Sequence, residues 1–300
     1  METVLDSTAA AALATFRQLA WVLGPLAACA LALHQLERLG GSVWTASFGW
    51  RATLVTGWLG VPIHELSHVA MCLPFGHSVE EVKLFAPDRE TGRLGFVHHR
   101  WPRGQPWAEI GRFFIGVAPL LGGSVVLYLA ARLLVPDAAI ARVAEVRALA
   151  ETPRVASEAV WALASAERLT DPRFWGFLYV VVCVGSHLAP SRDDLRGAAW
   201  GFVALSLVLF AVNLAAGLAG GIDEALVRRV AAWTVPLVAL SVLAVMLCTG
   251  ALVLAVAVSA VRERLRGGEG PLGRLLATGW PRVMLLGVAG ASFALAVRGS

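Results

Sequence analysis

Val61-Pro62-Ile63-His64-Glu65-Leu66-Ser67-His68 is an H-E-x-x-H motif, and it lies inside an apolar run over residues 50–73. On an α-helix His64 and His68 are four residues apart, so both imidazoles leave one face and can share a metal ion. Glu65 stands beside the first of them, where a carboxylate can take a proton from a metal-activated water. Chance matches to this motif usually fall on exposed polar surface. Here a Glu and two His sit in a stretch long enough to cross a bilayer, where each unpaired ionisable group costs at least a few kcal/mol. Their placement points to a metal site rather than to an inert polar cluster.

The surrounding chain has the composition of a membrane protein. Of its 300 residues 57% are hydrophobic and 15% charged, which excludes a soluble core and indicates an all-α polytopic fold. Apolar runs at residues 19–36, 50–73, 113–134, 174–189, 198–218 and 231–261 predict six transmembrane helices, and a shorter run at 283–297 a seventh. The net charge of +4 is carried almost wholly by arginine. Those arginines cluster between apolar runs, so they report topology, and no nucleic-acid partner is expected. Lys83, Arg89, Arg93, Arg100 and Arg103 after the second run, Arg192 and Arg196 after the fourth, and Arg262, Arg264 and Arg266 after the sixth predict cytoplasmic loops. The same rule places residues 136–172, read as extramembrane helices, outside.

Cys29, Cys72, Cys183 and Cys248 lie within apolar runs without C-x-x-C spacing and read as packing residues. Leu26-Ala27-Ala28-Cys29 matches a lipoprotein cleavage box. The segment before it carries Glu2 and Asp6 with Arg17 as its one basic residue, so the first span is expected to remain uncleaved.

After the motif, Val79, Val82, Leu84, Phe85, Leu94, Phe96 and Val97 flank Ala86-Pro87-Asp88-Arg89-Glu90-Thr91-Gly92, which predicts a β-hairpin over residues 77–100. His77, His98 and His99 within it are expected at solvent or the interface. In the third run, Gly116-Val117-Ala118-Pro119-Leu120-Leu121-Gly122-Gly123 permits close helix approach, and Pro119 frees a backbone carbonyl inside the span.

Two histidines need a third protein ligand. The fourth run ends in Gly185-Ser186-His187-Leu188-Ala189-Pro190-Ser191-Arg192-Asp193-Asp194-Leu195-Arg196-Gly197, the one place where carboxylates terminate a span. Asp194 is the preferred candidate, because Ser191 three residues earlier can cap a new helix and fix its direction. Asp193 and His187 remain as competitors.

A membrane-embedded H-E-x-x-H, a hairpin after it, a Gly/Pro-containing span and a later span ending in aspartates resemble the site-2 protease family of intramembrane zinc metalloproteases. The resemblance spans residues 50–197, although the family's L-D-G order is replaced here by Asp193-Asp194-Leu195. It implies that His64, His68 and an aspartate of residues 190–197 bind Zn2+, and that Glu65 is the catalytic base. It also implies a membrane-protein substrate, such as a single-span helix. The chain then divides into an N-terminal membrane anchor (1–49), a zinc metalloprotease core (50–197) and C-terminal membrane helices (198–300). A multi-pass protein of the plasma (inner) membrane with its active site toward the cytoplasm is expected. The alternatives are a non-proteolytic membrane binding or assembly factor with a structural zinc, and another integral-membrane H-E-x-x-H peptidase. A transporter fits less well, because no paired broken helices or internal repeat are evident.

Overall fold

Leu, Ala, Val and Gly dominate the chain, and the fold that follows is predominantly helical, with one small sheet. The computed structural model describes residues 2–163, 165–219, 221 and 224–265; the predicted run at 283–297 lies outside them. The first helix, α1 (Glu2–Phe48), is longer than the apolar run that announced it. Gln18, Glu37 and Arg38 interrupt the hydropathy there, yet all three are good helix formers, so the helix passes through them. It ends at Gly49, whose φ of 71° lies in the left-handed region that suits glycine. The motif helix α2 (Trp50–Cys72) follows directly and runs unbroken through Pro62.

An antiparallel pair, β1 (Ser78–Lys83) and β2 (Phe96–Arg100), forms the predicted hairpin, with Val82 opposite Val97 and an irregularity between Val79 and Glu81. Its turn is closed by Asp88, whose carboxylate accepts from the Glu90 amide at 2.9 Å and the Thr91 hydroxyl at 2.7 Å. Then come α3 (Pro106–Leu134), the short α4 (Ala138–Val143), α5 (Thr152–Leu163), α6 (Pro172–Gly185), α7 (Arg192–Leu218) and α8 (Glu224–Leu265). Asp137 caps α4 and Asp171 caps α6, each accepting a backbone N–H two residues on.

Four helices among the described residues are long and apolar enough to cross a membrane: Ser7–Phe48 of α1, α3, α7, and Ala232–Leu265 of α8. The expected six or seven are not all of this kind, for two physical reasons. In α2, Arg51, Thr53, Thr56, His64, Glu65, Ser67 and His68 dilute the apolar character. In α6, 14 residues reach only about 21 Å, short of a hydrocarbon core of about 30 Å.

One apolar core joins α1 (Leu33, Leu36), α3 (Leu120, Leu127), α6 (Phe177, Val181) and α8 (Leu243, Leu247). Residues 136–172, read from sequence as an extramembrane element, contribute Ile140, Val143, Val155 and Ala156 to that same core. The α4–α5 segment is therefore folded against the helical bundle, and its charges stay on the far side, where Arg142 and Arg154 both pair with Glu158.

Candidate metal centre

The motif histidines are turned toward each other by two backbone carbonyls. Pro119 in α3 lacks an amide hydrogen, so the carbonyl four residues earlier, that of Ile115, has no helical donor. His68 Nδ1–H fills that vacancy at 2.8 Å. His64 Nδ1–H donates to the carbonyl of His187, just beyond the end of α6, at 2.7 Å. With both Nδ1 atoms acting as donors, the neutral rings expose lone pairs at Nε2. Those two Nε2 atoms stand 3.2 Å apart.

The carboxylate of Asp194 completes the group, with Oδ2 at 3.7 Å from His64 Nε2 and Oδ1 at 3.4 Å from His68 Nε2. Two imidazole lone pairs and a carboxylate at this spacing repel one another unless a proton or a cation lies between them. Donors bound to one ion at about 2.0–2.1 Å on a tetrahedron stand about 3.3–3.4 Å apart; the 3.2 and 3.4 Å separations lie close to that value, and the 3.7 Å separation, to the other carboxylate oxygen, is a few tenths of an ångström longer. His64, His68 and Asp194 can hold a metal ion.

The direction of Asp194 comes from a capping box at the start of α7. Ser191 Oγ accepts from the Asp194 amide at 3.2 Å, and Asp194 Oδ2 accepts from the Ser191 amide at 2.7 Å. One residue earlier, Asp193 points away and pairs with Arg196 at 3.4 Å in solvent. His187 enters through its backbone alone. The Thr56 hydroxyl is committed to the Ala52 carbonyl at 3.1 Å, so His187 Nε2–H donates to Thr56 Oγ1 at 3.2 Å and carries no free lone pair there. Glu65 is buried and takes no hydrogen bond or ion pair among the described residues.

Small residues make this convergence possible. A Cβ on Gly122 would overlap the side chain of Ser67 on α2, one residue before His68. A Cβ on Gly116 would stand 2.5 Å from the Asp194 carbonyl oxygen and 2.8 Å from Ala198 Cβ on α7. At these two glycines α3 touches the helix carrying the histidines and the helix carrying the aspartate.

The hairpin histidines differ from expectation. His98 is exposed, 3.9 Å from Glu81, but His77 is buried. Its Nε2–H donates to the Ala108 carbonyl at 2.9 Å, so its Nδ1 accepts from His99 Nδ1–H, also at 2.9 Å. Trp101 stacks on His77 at 5.7 Å between ring centroids. The apolar base of the hairpin thus seals onto the start of α3, which the sequence pattern around three polar-looking histidines does not reveal.

Sequence reasoning missed the two orienting carbonyls and Glu37 of α1, whose carboxylate accepts from the Ala189 amide. Pro119 was the available signal for the first carbonyl. Comparison with protein-family models, curated proteins and solved structures finds no match.

Proposed function

We propose that the chain is an intramembrane zinc metalloprotease that hydrolyses peptide bonds of membrane-embedded helices. The observation that carries this reading is the pair of Nε2 lone pairs and the Asp194 carboxylate within 3.7 Å of one another, with a buried Glu65 that makes no hydrogen bond or ion pair among the described residues. Two imidazoles and one carboxylate suit zinc and leave a fourth position open. Zinc held there would supply Lewis acidity to a peptide carbonyl and lower the pKa of a water.

The chain's own residues do the rest. Glu65, unpaired in its buried position, accepts the proton of the attacking water and returns it to the leaving amine nitrogen. The Ile115 and His187 carbonyls keep both imidazoles in the Nδ1–H tautomer, so Nε2 is always the ligating atom. A substrate helix must unwind before its peptide bonds can be reached. Among the described residues the two-stranded sheet leaves each strand a free edge, and an unwound segment can add to one as a further strand. The centre is taken to face the cytoplasmic side of the membrane, a reading supported by Arg89, Arg93, Arg100 and Arg103 around the hairpin and by Arg192 and Arg196 at the start of α7.

A non-proteolytic factor with a structural zinc is disfavoured. Closed structural sites use four protein ligands, and three converge among the described residues. The deciding experiment compares wild type with Glu65→Gln in purified form. One zinc per chain in both proteins is expected, with cleavage of single-span membrane substrates in the wild type alone. Equal cleavage by both proteins refutes the mechanism, and a zinc-loaded wild type inert toward every substrate restores the structural alternative.

A further inference from the structure

Glu37 is an ionisable side chain on α1, a helix of spanning length that contributes no metal ligand. Such a group in a membrane helix is expensive to keep, and the metal chemistry does not use it. It reaches the connection between α6 and α7, where its carboxylate accepts the Ala189 amide.

That connection is held at every second residue. The His187 carbonyl takes His64 Nδ1–H, the Ala189 amide goes to Glu37, and the Ser191 amide goes to Asp194. Further along α2, Thr56 is bonded to His187 Nε2, and an added Cβ on Gly60 would overlap the Cys183 carbonyl of α6 and approach His187 Cδ2 to 2.6 Å. Glu37 is the anchor from α1 in this set. It also lines a cavity of about 700 Å3, together with Arg38, Thr45, Thr53 and Thr56.

We infer that Glu37 is a positioning residue for the metal centre: through the Ala189 amide it fixes the loop that orients His64 at one end and presents Asp194 at the other. The inference rests on the metal-binding reading above. It assigns to the first helix a part in the site, through an acceptor atom at one distance from α1. Partners that orient metal ligands without touching the metal carry about 10–100-fold in affinity.

The test is a zinc titration of the full-length protein in lipid nanodiscs against a chromophoric chelator, with thermal unfolding measured in parallel. Glu37→Gln keeps an acceptor oxygen at the same reach and should bind zinc within about threefold of wild type. Glu37→Asp keeps the carboxyl group but withdraws its oxygen by one methylene, and should bind about tenfold more weakly with an unchanged unfolding midpoint. Glu37→Leu should match the Asp variant or bind less. Wild-type affinity in Glu37→Asp overturns the inference, as does a Gln variant as weak as the Asp variant, which would show that an acceptor oxygen at that reach does not hold the loop. A wild type that takes up no zinc overturns the metal reading itself and this inference with it, so the two failures are distinct.

Discussion

Replacing Gly116 by alanine adds one carbon at the point where α3 meets the aspartate ligand. The new Cβ would lie 2.5 Å from the Asp194 carbonyl oxygen, where ordinary contact begins at 3.4 Å, so the backbones must separate by about 0.9 Å. The obstacle is backbone on one side and Ala198 Cβ at 2.8 Å on the other, and neither can rotate away. Overpacking of this kind costs about 1–3 kcal/mol of stability. The metal should suffer more, because ligand distances are tolerated to only about 0.2 Å. Zinc affinity should therefore fall at least about tenfold in Gly116→Ala, read by competition with a chelator. Gly197→Ala is the matched control on α7: a Cβ there meets nothing within 4 Å, so it should keep full affinity and gain about 0.5–1 kcal/mol from helix propensity. Equal zinc affinity in Gly116→Ala and wild type would refute the claim that close approach of α3 and α7 sets the position of Asp194.

Pro119→Ala restores an amide that competes for the Ile115 carbonyl. The helix should gain stability while zinc affinity falls by about fivefold to tenfold, the worth of roughly one hydrogen bond; unchanged affinity would show that His68 needs no such partner. Asp194→Asn should lose most bound zinc and all proteolysis, whereas the exposed Asp193→Asn should retain both, and the reverse pattern would exchange their roles. Burial, with the neighbouring His77 ring second, pushes His99 down to about 4. The folded state holds this imidazole neutral, while the unfolded chain takes up a proton below its ordinary value of 6.5, so stability is lost as pH falls from about 6.5 toward 4. His99→Gln should remove on the order of 1 kcal/mol of that loss after solvent screening, measured as unfolding midpoints from pH 7.5 to 4.5. An equally steep profile in the variant would rule out His99 as the source.

Local patterns carried much of the fold. The four-residue spacing of His64 and His68, the turn chemistry around Asp88 and the Ser191-to-Asp194 cap each depend on neighbours in sequence, and each has the predicted local form. Among the described residues four of the predicted runs form helices long and apolar enough to cross a membrane; α2 interleaves polar groups and α6 is short, properties that an apolar run in the sequence does not separate from a longer, uniform one. The rest depended on distant pairs. His64 meets a carbonyl 123 positions away and Glu37 an amide 152 positions away, and backbone groups leave no mark in composition or period. His77 looked polar in a hairpin of exposed charges, and only the arrival of Ala108 and Trp101 buries it. The choice between Asp193 and Asp194 was foreshadowed by the serine cap, while His187 contributes by a route that a search for side-chain ligands overlooks.

The carboxylate of Asp194 belongs to two structures at once, a helix cap and a ligand set. Because the cap holds the side chain from within α7, a metal ion would meet a receptor already in shape and release little disorder on leaving. Stripping the metal should then leave α7 folded, in contrast to small zinc domains whose fold depends on the ion. The gain in stability on loading reduces to mass action, RT ln(1 + [Zn]/Kd), or about 2.7 kcal/mol at a hundredfold excess over Kd. An apoprotein of this kind can be inserted and assembled in the bilayer first and charged with metal afterwards, so maturation does not have to wait on metal supply.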